Sequence, residues 1–597
     1  MGHYKSNLRD IEFNLFELYR VQDYAGSGPW AELDRATMGD ILAEIERLAV
    51  EDYAASYHDQ DRISLELVGG EVSLPESVKA SARAFREGGW DRLGLPAEMG
   101  GTPVPPSLVW AVAEMLLGAN TTVQFYAGGS LFAKVLFEEG TQEQKELAKL
   151  WVERGWAGTM VLTEPDAGSD VGAATTKATD QGDGTWHIEG VKRFITSGEH
   201  DLTDNIVHLV LARPEGADPG TKGLSLFVVP KYLVAEDGSL GERNGVVATH
   251  LEKKMGLKGS ATCELTFGLE RPAIGYLVGN RHDGIRQMFR VIEYARMMIG
   301  AKAMGTLSTG YLNALEYARE RTQGADLTEA ADKMAPRVPI IRHPDVRRML
   351  MTQKAHAEGM RALVLYAAWV QDQAVLHHDD DRWERRSDLL LPLVKGYCSE
   401  KGYELLSMSL QVLGGSGYTQ DYPMEQYLRD ARIDTIYEGT TGIQALDLLF
   451  RKIARDQGET LAGLAAEIVE FVKAGRDDDP IADEREMLGG MLDETQAHVG
   501  AMVQWLMAAA GGDKEEIYKV GLHTNDLLES MAETVIAWLL LRQAEIAAPE
   551  AGSDPFYRGK LEAARWFIRH TAPKAALRRS AATSEDGSLM ALPLEAF

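Results

Sequence analysis

The sequence predicts an α+β fold, mostly α, in which one strand-rich block lies between helical ones. Three observations predict it. Residues 1 to about 155 place apolar side chains three and four apart, as in ATMGDILAEIERLAVEDYAASY and TQEQKELAKLWVERG. From Trp156 to about Phe267 the pattern becomes strand-like, in the runs WAGTMVLTE, TWHIEG, VKRFIT, NIVHLVLAR, KGLSLFVVP and TCELTF. Helical periodicity returns at Gly284 and runs to the C-terminal part. The expected segments are 1–155, helical; 156–280, β; 281–455, helical; and 456–597, a further helical domain.

Within the first segment, LGLPAEMGGTPVPP (93–106) reads as a Gly/Pro-rich loop. Small residues further on (Gly118, Ala119, Gly128) leave room beside helical text. In the β block, Asp183-Gly184 and Glu189-Gly190 read as turns between strands. The stretch DGIRQMFRVIEYARMMIGAKAMGTLSTGYLNALEYARERT predicts one helix of ~35–40 residues, about 55 Å long. Met288, Ile292, Met298 and Leu307 supply much of its apolar content. A second long helical block runs from about His343 to Leu413. The acidic run and Pro480 in AGRDDDPIADER (474–485) mark a linker, and amphipathic segments follow.

Acidic residues number 90 against 62 basic ones, a net charge of -28. Such a surface repels a phosphate backbone, which argues against nucleic acid as a bulk partner. Cys263 and Cys398 are far apart and match neither a metal spacing nor a disulfide framework. The N-terminus is charged from its start and lacks the apolar core of a signal peptide. The longest strong apolar run, 535–541, falls far short of the ~20 residues of a membrane span. A soluble, cytoplasmic protein with no transmembrane segment is expected.

Two nucleotide signatures fail. The one Gly-Lys pair, Gly559-Lys560, is followed by leucine, so there is no Walker A loop. The nearest glycine fingerprint, LGGSGY (413–418), follows helical text rather than a strand, against a Rossmann reading. Two segments hold more chemistry. TEPDAGSD (163–170) comes directly after a strand, and Gly168 lets its backbone approach a flat ligand while Thr163 and Ser169 offer hydroxyls. A plain polar turn explains that composition equally. In YEGTTGIQALDLLF (437–450), Ile443, Leu446, Phe450 and Ile453 set a helical period, and Thr441-Gly442-Ile443-Gln444 has the form of a capping box. Glu438 then enters a helix N-terminus, where a carboxylate serves either chemistry or the helix dipole.

TEPDAGSD, KRFITSG (192–198), KMGLKGSATCELTF (254–267), QVLGGSGY (411–418), LRDARI (428–433) and IYEGTTGIQ (436–444) occur in that order. Together with the helix–strand–helix alternation they closely resemble the acyl-CoA dehydrogenase family over roughly residues 80 to 455. The extra terminal parts are similar to the large bacterial members, particularly the broad-chain-length mycobacterial type. The resemblance implies an N-terminal helical domain, a middle β-barrel-like domain, a C-terminal helical bundle and an additional helical domain.

It also implies FAD as cofactor, an acyl-CoA substrate oxidised to the trans-2-enoyl-CoA in fatty-acid β-oxidation, electron-transferring flavoprotein as acceptor, and a homo-oligomer, dimer or tetramer. Glu438 matches the catalytic base that takes the α proton while a hydride leaves the β carbon for the flavin. Before substrate burial the helix N-terminus is expected to hold its pKa low. Met160, Leu162, Thr163, Gly168 and Ser169 match positions lining the flavin, Ser169 also lying near the CoA arm. Phe194, Ile195 and Thr196 stand for the family's Trp-Ile-Thr, keeping the aromatic face without the indole N–H. Arg321 matches an arginine of the FAD pyrophosphate, and Gln411, Gly414 and Gly415 match the adenosine end. Glu293 and Arg296 match positions near the CoA nucleotide, while Gly439 and Thr440 complete the substrate and flavin contacts.

Departures from the family pattern occur at RTQG (321–324), which lacks the usual aromatic, at the unusual stretch 325–348 after it, at Gly442 and at Lys258. No metal is expected, because the fourteen histidines form no ligand-like cluster and His377-His378 read as a solvated charged stretch. Two other readings stay open: an acyl-CoA oxidase, and a flavin-bearing alkylation-response relative that binds DNA. The latter would want a basic face, for which KAALRRS (574–580) is the short candidate.

Overall fold

A computed structural model describes residues 2–475 and 479–597. The chain divides into two compact units, one of Met1–Tyr4 and Ala25–Ala295, the other of Lys5–Tyr24 and Arg296–Phe597.

In the first unit, helices Arg35–Leu48, Glu76–Glu87, Pro106–Ala127, Gly129–Glu139 and Gln142–Arg154 precede the strands. The last is delimited by local chemistry. Thr141 and Gln144 form a capping box at its start, and Gly155 (φ +58°) ends it in the left-handed conformation. Its Trp151, fully buried, joins Leu209, Leu211, Leu226 and Val228 from the sheet in one core. Helix Pro106–Ala127 is interrupted at Asn120 (φ −163°), whose Nδ2 donates to Tyr53 O and Ser56 Oγ. A short hairpin, Leu67–Val68 with Glu71–Val72, was not apparent in the sequence.

The sheet has eight strands. Its path runs Val246–Leu251, Cys263–Phe267, Trp186–Ile195, Ala273–Leu277, Ser225–Pro230, Ile206–Pro214, Ala157–Val161. Lys177–Asp180 pairs with both Trp186–Ile195 and Ile206–Pro214, which closes five strands into a barrel-like ring. Asp183-Gly184 is a turn, with Gln181 N–H bonded to Thr185 O. Glu189-Gly190 is not. TWHIEG and VKRFIT form one ten-residue strand, and Gly190 is needed inside it because a Cβ would lie 2.5 Å from Thr176 Oγ1.

Helix Gly284–Glu320 has 37 residues, matching the predicted length. The block expected from His343 to Leu413 is broken twice. Pro344–Leu376 ends before the exposed His377-His378 stretch, and Arg382–Pro392 gives way to a π-helical turn, Leu393–Tyr397, before Cys398–Leu413. Pro392 has no N–H to continue the ladder, which favours the irregularity there.

In the second unit, Asp10 accepts from Arg361 and Lys560 (both 2.6 Å), and all three are buried. This pairing explains why residues 5–24 group with helices far along the chain. Helices Ala482–Ala510, Glu516–Ala547 and Pro555–Thr583 pack on one another, and the Thr495 and Thr534 hydroxyls meet at 2.8 Å between the first two. Residues 476–478 of the expected linker lie outside the described residues. Among the described residues, no helix is long and apolar enough to cross a membrane.

Candidate active site

In the first unit, the loop 163–170 follows strand Ala157–Val161 and is pinned by a buried ion pair. Lys192 Nζ donates to Leu162 O (2.8 Å) and lies 2.9 Å from Glu164 Oε1. The Glu164 carboxylate also accepts from Thr175 N–H, Thr175 Oγ1 and Thr176 N–H. Burial pushes Glu164 upward, but the Lys192 ammonium and these hydrogen bonds outweigh it and hold the acid at about 2. Burial likewise lowers Lys192, to about 8, against the pull of Glu164.

Arg193 N–H donates to Thr163 O (2.9 Å), so the strand end runs beside the loop. Phe194 follows with φ +61° and 55% exposure, large for an aromatic, with the Arg193 guanidinium 4.8 Å from its ring centre. Ile195 is buried; Met160, Leu162, Thr163 and Thr196 are half-buried; Gly168 and Ser169 are exposed. A Cβ on Gly168 would meet open space. A largely exposed aromatic ring beside a loop whose Gly168 faces open space fits a flat ring system such as a flavin.

In the second unit, Glu438 has φ +56° and Gly439 φ +90°, two consecutive left-handed residues before helix Thr441–Asp447. The helix is capped one residue earlier than predicted, by Thr440, whose side chain accepts from Ile443 N–H. Thr441 instead donates to Glu400 (2.6 Å), and Gln444, expected in a capping box, turns back to donate to Glu438 O (3.0 Å). Lys395 Nζ donates to Gly439 O (2.5 Å) from the π-helical turn. Among the described residues, no acceptor meets the Glu438 N–H.

Glu438 is half-buried, and burial drives its carboxyl up to about 7 against the opposing charges of Lys395 and Arg296. The expectation of a low pKa in the free protein is thus corrected: desolvation exceeds the opposing charges of Lys395 and Arg296. Arg296 is buried, with Nη1 donating to Asp447 Oδ2 (2.7 Å). Glu293 lies 3.9 Å from Arg290 on the same helix. Arg321, Gln411, Gly414 and Gly415 are exposed. Tyr317, one turn before Arg321, donates to Ser416 (3.3 Å), which brings the helix end to the GGSGY segment. The unusual stretch after Arg321 folds back as a hairpin, Thr322–Ala325 with Arg337–Pro339, and Ile340 N–H donates to Arg321 O.

Sequence reasoning missed Lys395, the bond from Gln444 to the Glu438 carbonyl, and the Lys192–Glu164 pair. Lys395 had a signal: it is the lone charge in LLLPLVKGY (389–397). Two of the three basic residues of KAALRRS are paired, Arg578 with Glu529 and Glu533 and Arg579 with Glu494, which leaves Lys574 alone of the three on the surface without an ion pair among the described residues.

A β-ring set in a largely helical chain is the architecture expected of the acyl-CoA dehydrogenase class. The comparisons agree with it. Family models match residues 159–268 (acyl-CoA dehydrogenase, middle domain), 282–452 (acyl-CoA dehydrogenase, C-terminal domain) and 464–593 (acetyl-CoA dehydrogenase C-terminal like). The chain is 53% identical to the broad-specificity linear acyl-CoA dehydrogenase FadE5 of Mycobacterium tuberculosis, with 100% of each chain covered. It is 36% identical to the 3-methylmercaptopropionyl-CoA dehydrogenase of Ruegeria pomeroyi, covering 99% of this chain and 100% of that one. An acyl-CoA dehydrogenase from Bacillus anthracis, solved with FAD, shares the fold at TM-score 0.73 and 20% identity, over 95% of this chain and 91% of that one. The protein therefore belongs to the acyl-CoA dehydrogenase family, and is an oxidoreductase of the large type with an added C-terminal helical region.

Proposed function

We propose that this protein carries out the FAD-dependent α,β-dehydrogenation of saturated acyl-CoA thioesters to trans-2-enoyl-CoA, in cytoplasmic fatty-acid β-oxidation. The observation that supports it best is Glu438, a carboxyl raised to about 7 on a left-handed turn with its own N–H free. A base with a pKa near working pH combines a useful ionised fraction with proton affinity. Glu438 takes the proton α to the thioester carbonyl, and its N–H, which has no acceptor among the described residues, donates to the carbonyl oxygen as negative charge develops there.

FAD, when bound, supplies the two-electron acceptor for the hydrogen leaving the β carbon. Phe194 offers a ring face to it, and Met160, Leu162, Thr163, Gly168, Ser169, Ile195 and Thr196 make up the rest of that wall. Arg321, Gln411, Gly414, Gly415 and Thr440 serve the rest of the cofactor, while Ser169, Glu293, Arg296 and Gly439 serve the substrate. Electron-transferring flavoprotein is the proposed acceptor, and the working form a dimer or tetramer. The 53% identity to a broad-specificity linear enzyme favours straight-chain acyl groups.

Anaerobic mixing of the FAD-loaded protein with linear acyl-CoAs of increasing length should bleach the flavin for a range of lengths. Glu438→Gln should retain FAD and lose the bleaching. A loaded protein that no length bleaches would overturn the reading, and rapid oxygen consumption would replace it with an oxidase.

A further inference from the structure

Glu438 (φ +56°) is a non-glycine residue in the left-handed region, a strained conformation that persists only where neighbours hold it, whereas Gly439 (φ +90°) adopts it freely. At Glu438-Gly439 the holding groups are two buried side chains. Gln444 Nε2 takes the Glu438 carbonyl at 3.0 Å and reaches the Gly439 carbonyl at 3.5 Å; Lys395 Nζ takes the Gly439 carbonyl at 2.5 Å. Both side chains are fully buried. A lysine placed there for packing or for one neutral hydrogen bond is a costly choice, because its charge loses hydration. Among the described residues, no carboxylate lies within ion-pair distance of it. Asp434, the carboxylate that acts most strongly on it at longer range, is hydrogen-bonded instead to Lys302 (2.5 Å) and Tyr437 (2.8 Å).

We propose that Lys395 is a positioning residue for the dehydrogenation: from the π-helical turn its ammonium holds the Gly439 carbonyl, and thereby fixes the turn that aims the Glu438 carboxylate and N–H. This rests on the reading of Glu438 as the base. The electrostatics point the same way. The charged groups acting on Lys395 are Asp434, Glu438, Arg296 and Glu400, and those acting on Glu438 are Lys395 and Arg296. Arg296 has its own partner in Asp447, so Lys395 is the cation without a carboxylate of its own. Burial lowers Lys395 to about 8, so it still carries its charge where Glu438 ionises near 7. The same residue therefore sets the geometry of the base and limits how far burial raises it.

The test uses the full-length, FAD-loaded enzyme, following anaerobic flavin reduction by a linear saturated acyl-CoA across pH. Wild type, Lys395→Met, Lys395→Gln and Glu438→Gln are compared, with FAD content and thermal midpoint measured on each. In Lys395→Met the acid limb should move up on the order of one pH unit, and the limiting rate should fall roughly ten- to hundredfold. Lys395→Gln keeps a donor without the charge. It should show the same displaced limb while recovering part of the limiting rate, a split that simple loss of packing would not produce. If Lys395→Met does not load FAD, the Gln variant decides alone. Loaded Lys395 variants with the wild-type limb and limiting rate, beside an inactive Glu438→Gln, would overturn the role of Lys395 and leave the base standing. A Glu438→Gln that reduces flavin at the wild-type rate would remove the base itself, and the positioning role with it.

Discussion

Each unit holds one fully buried lysine at a chemically important loop, and the two are wired differently. Lys192 has a carboxylate of its own, Glu164, whose oxygens are also taken by Thr175 and Thr176. Lys395 is bonded to a backbone carbonyl, and the carboxylates around it act only at longer range. The first arrangement neutralises itself and works as a clamp on the loop 163–170. The second keeps its charge available to the adjoining Glu438. Burial alone does not give a lysine its role; whether its charge is cancelled nearby does.

The largest expected effect breaks the clamp. Lys192→Met would leave Glu164 buried without its cation, and removing one partner of such a pair costs about 3 kcal/mol or more. Denaturant unfolding should report that loss, and FAD content should fall with it, whereas Lys395→Met should spare more of both. A wild-type unfolding midpoint in Lys192→Met would mean the pair is not a clamp.

The next prediction sharpens the contrast through pH. Glu438 must be ionised to accept a proton, so substrate-limited flavin reduction should fall about tenfold per pH unit below about 7. The two acids should also link stability to pH with opposite signs. Glu438 is raised from 4.5 to about 7, so the stability it confers is full below 4.5 and is lost as pH rises through 7. Glu164 is depressed to about 2, so its contribution is present above 4.5 and is lost as pH falls toward 2. Unfolding titrations of Glu438→Gln and Glu164→Gln against wild type would separate them; parallel curves would contradict the assignment.

The smallest effect concerns the cap. Thr440→Ala removes the acceptor for Ile443 N–H and should cost about 1 kcal/mol in thermal unfolding. Thr441→Ala, which removes only a partly exposed bond to Glu400, should cost less. The reverse order would restore the cap position read from the sequence.

Much of the fold was legible in the sequence because the signals that carry it are local. The 3.6-residue period fixed the 37-residue helix, alternation and turn residues marked the β block, and the ordered motifs singled out Glu438 and the loop 163–170. What failed was also local: Glu189-Gly190 read as a turn because glycine signals both turns and close approaches, and only the nearness of Thr176 distinguishes them. Thr440 and Thr441 are likewise interchangeable as letters, and the path of the chain chose between them.

Only the tertiary structure decided the electrostatics. Nothing in YEGTTGIQ states that Glu438 sits near neutrality, because that depends on how much water its neighbours exclude and on a lysine 43 residues earlier in the chain. Lys192 and Glu164 lie 28 positions apart in sequence and 2.9 Å apart in space. Hydrophobic period and turn chemistry are written along the chain, residue by residue. Desolvation and charge pairing are properties of the packed interior, and exist only once distant segments meet.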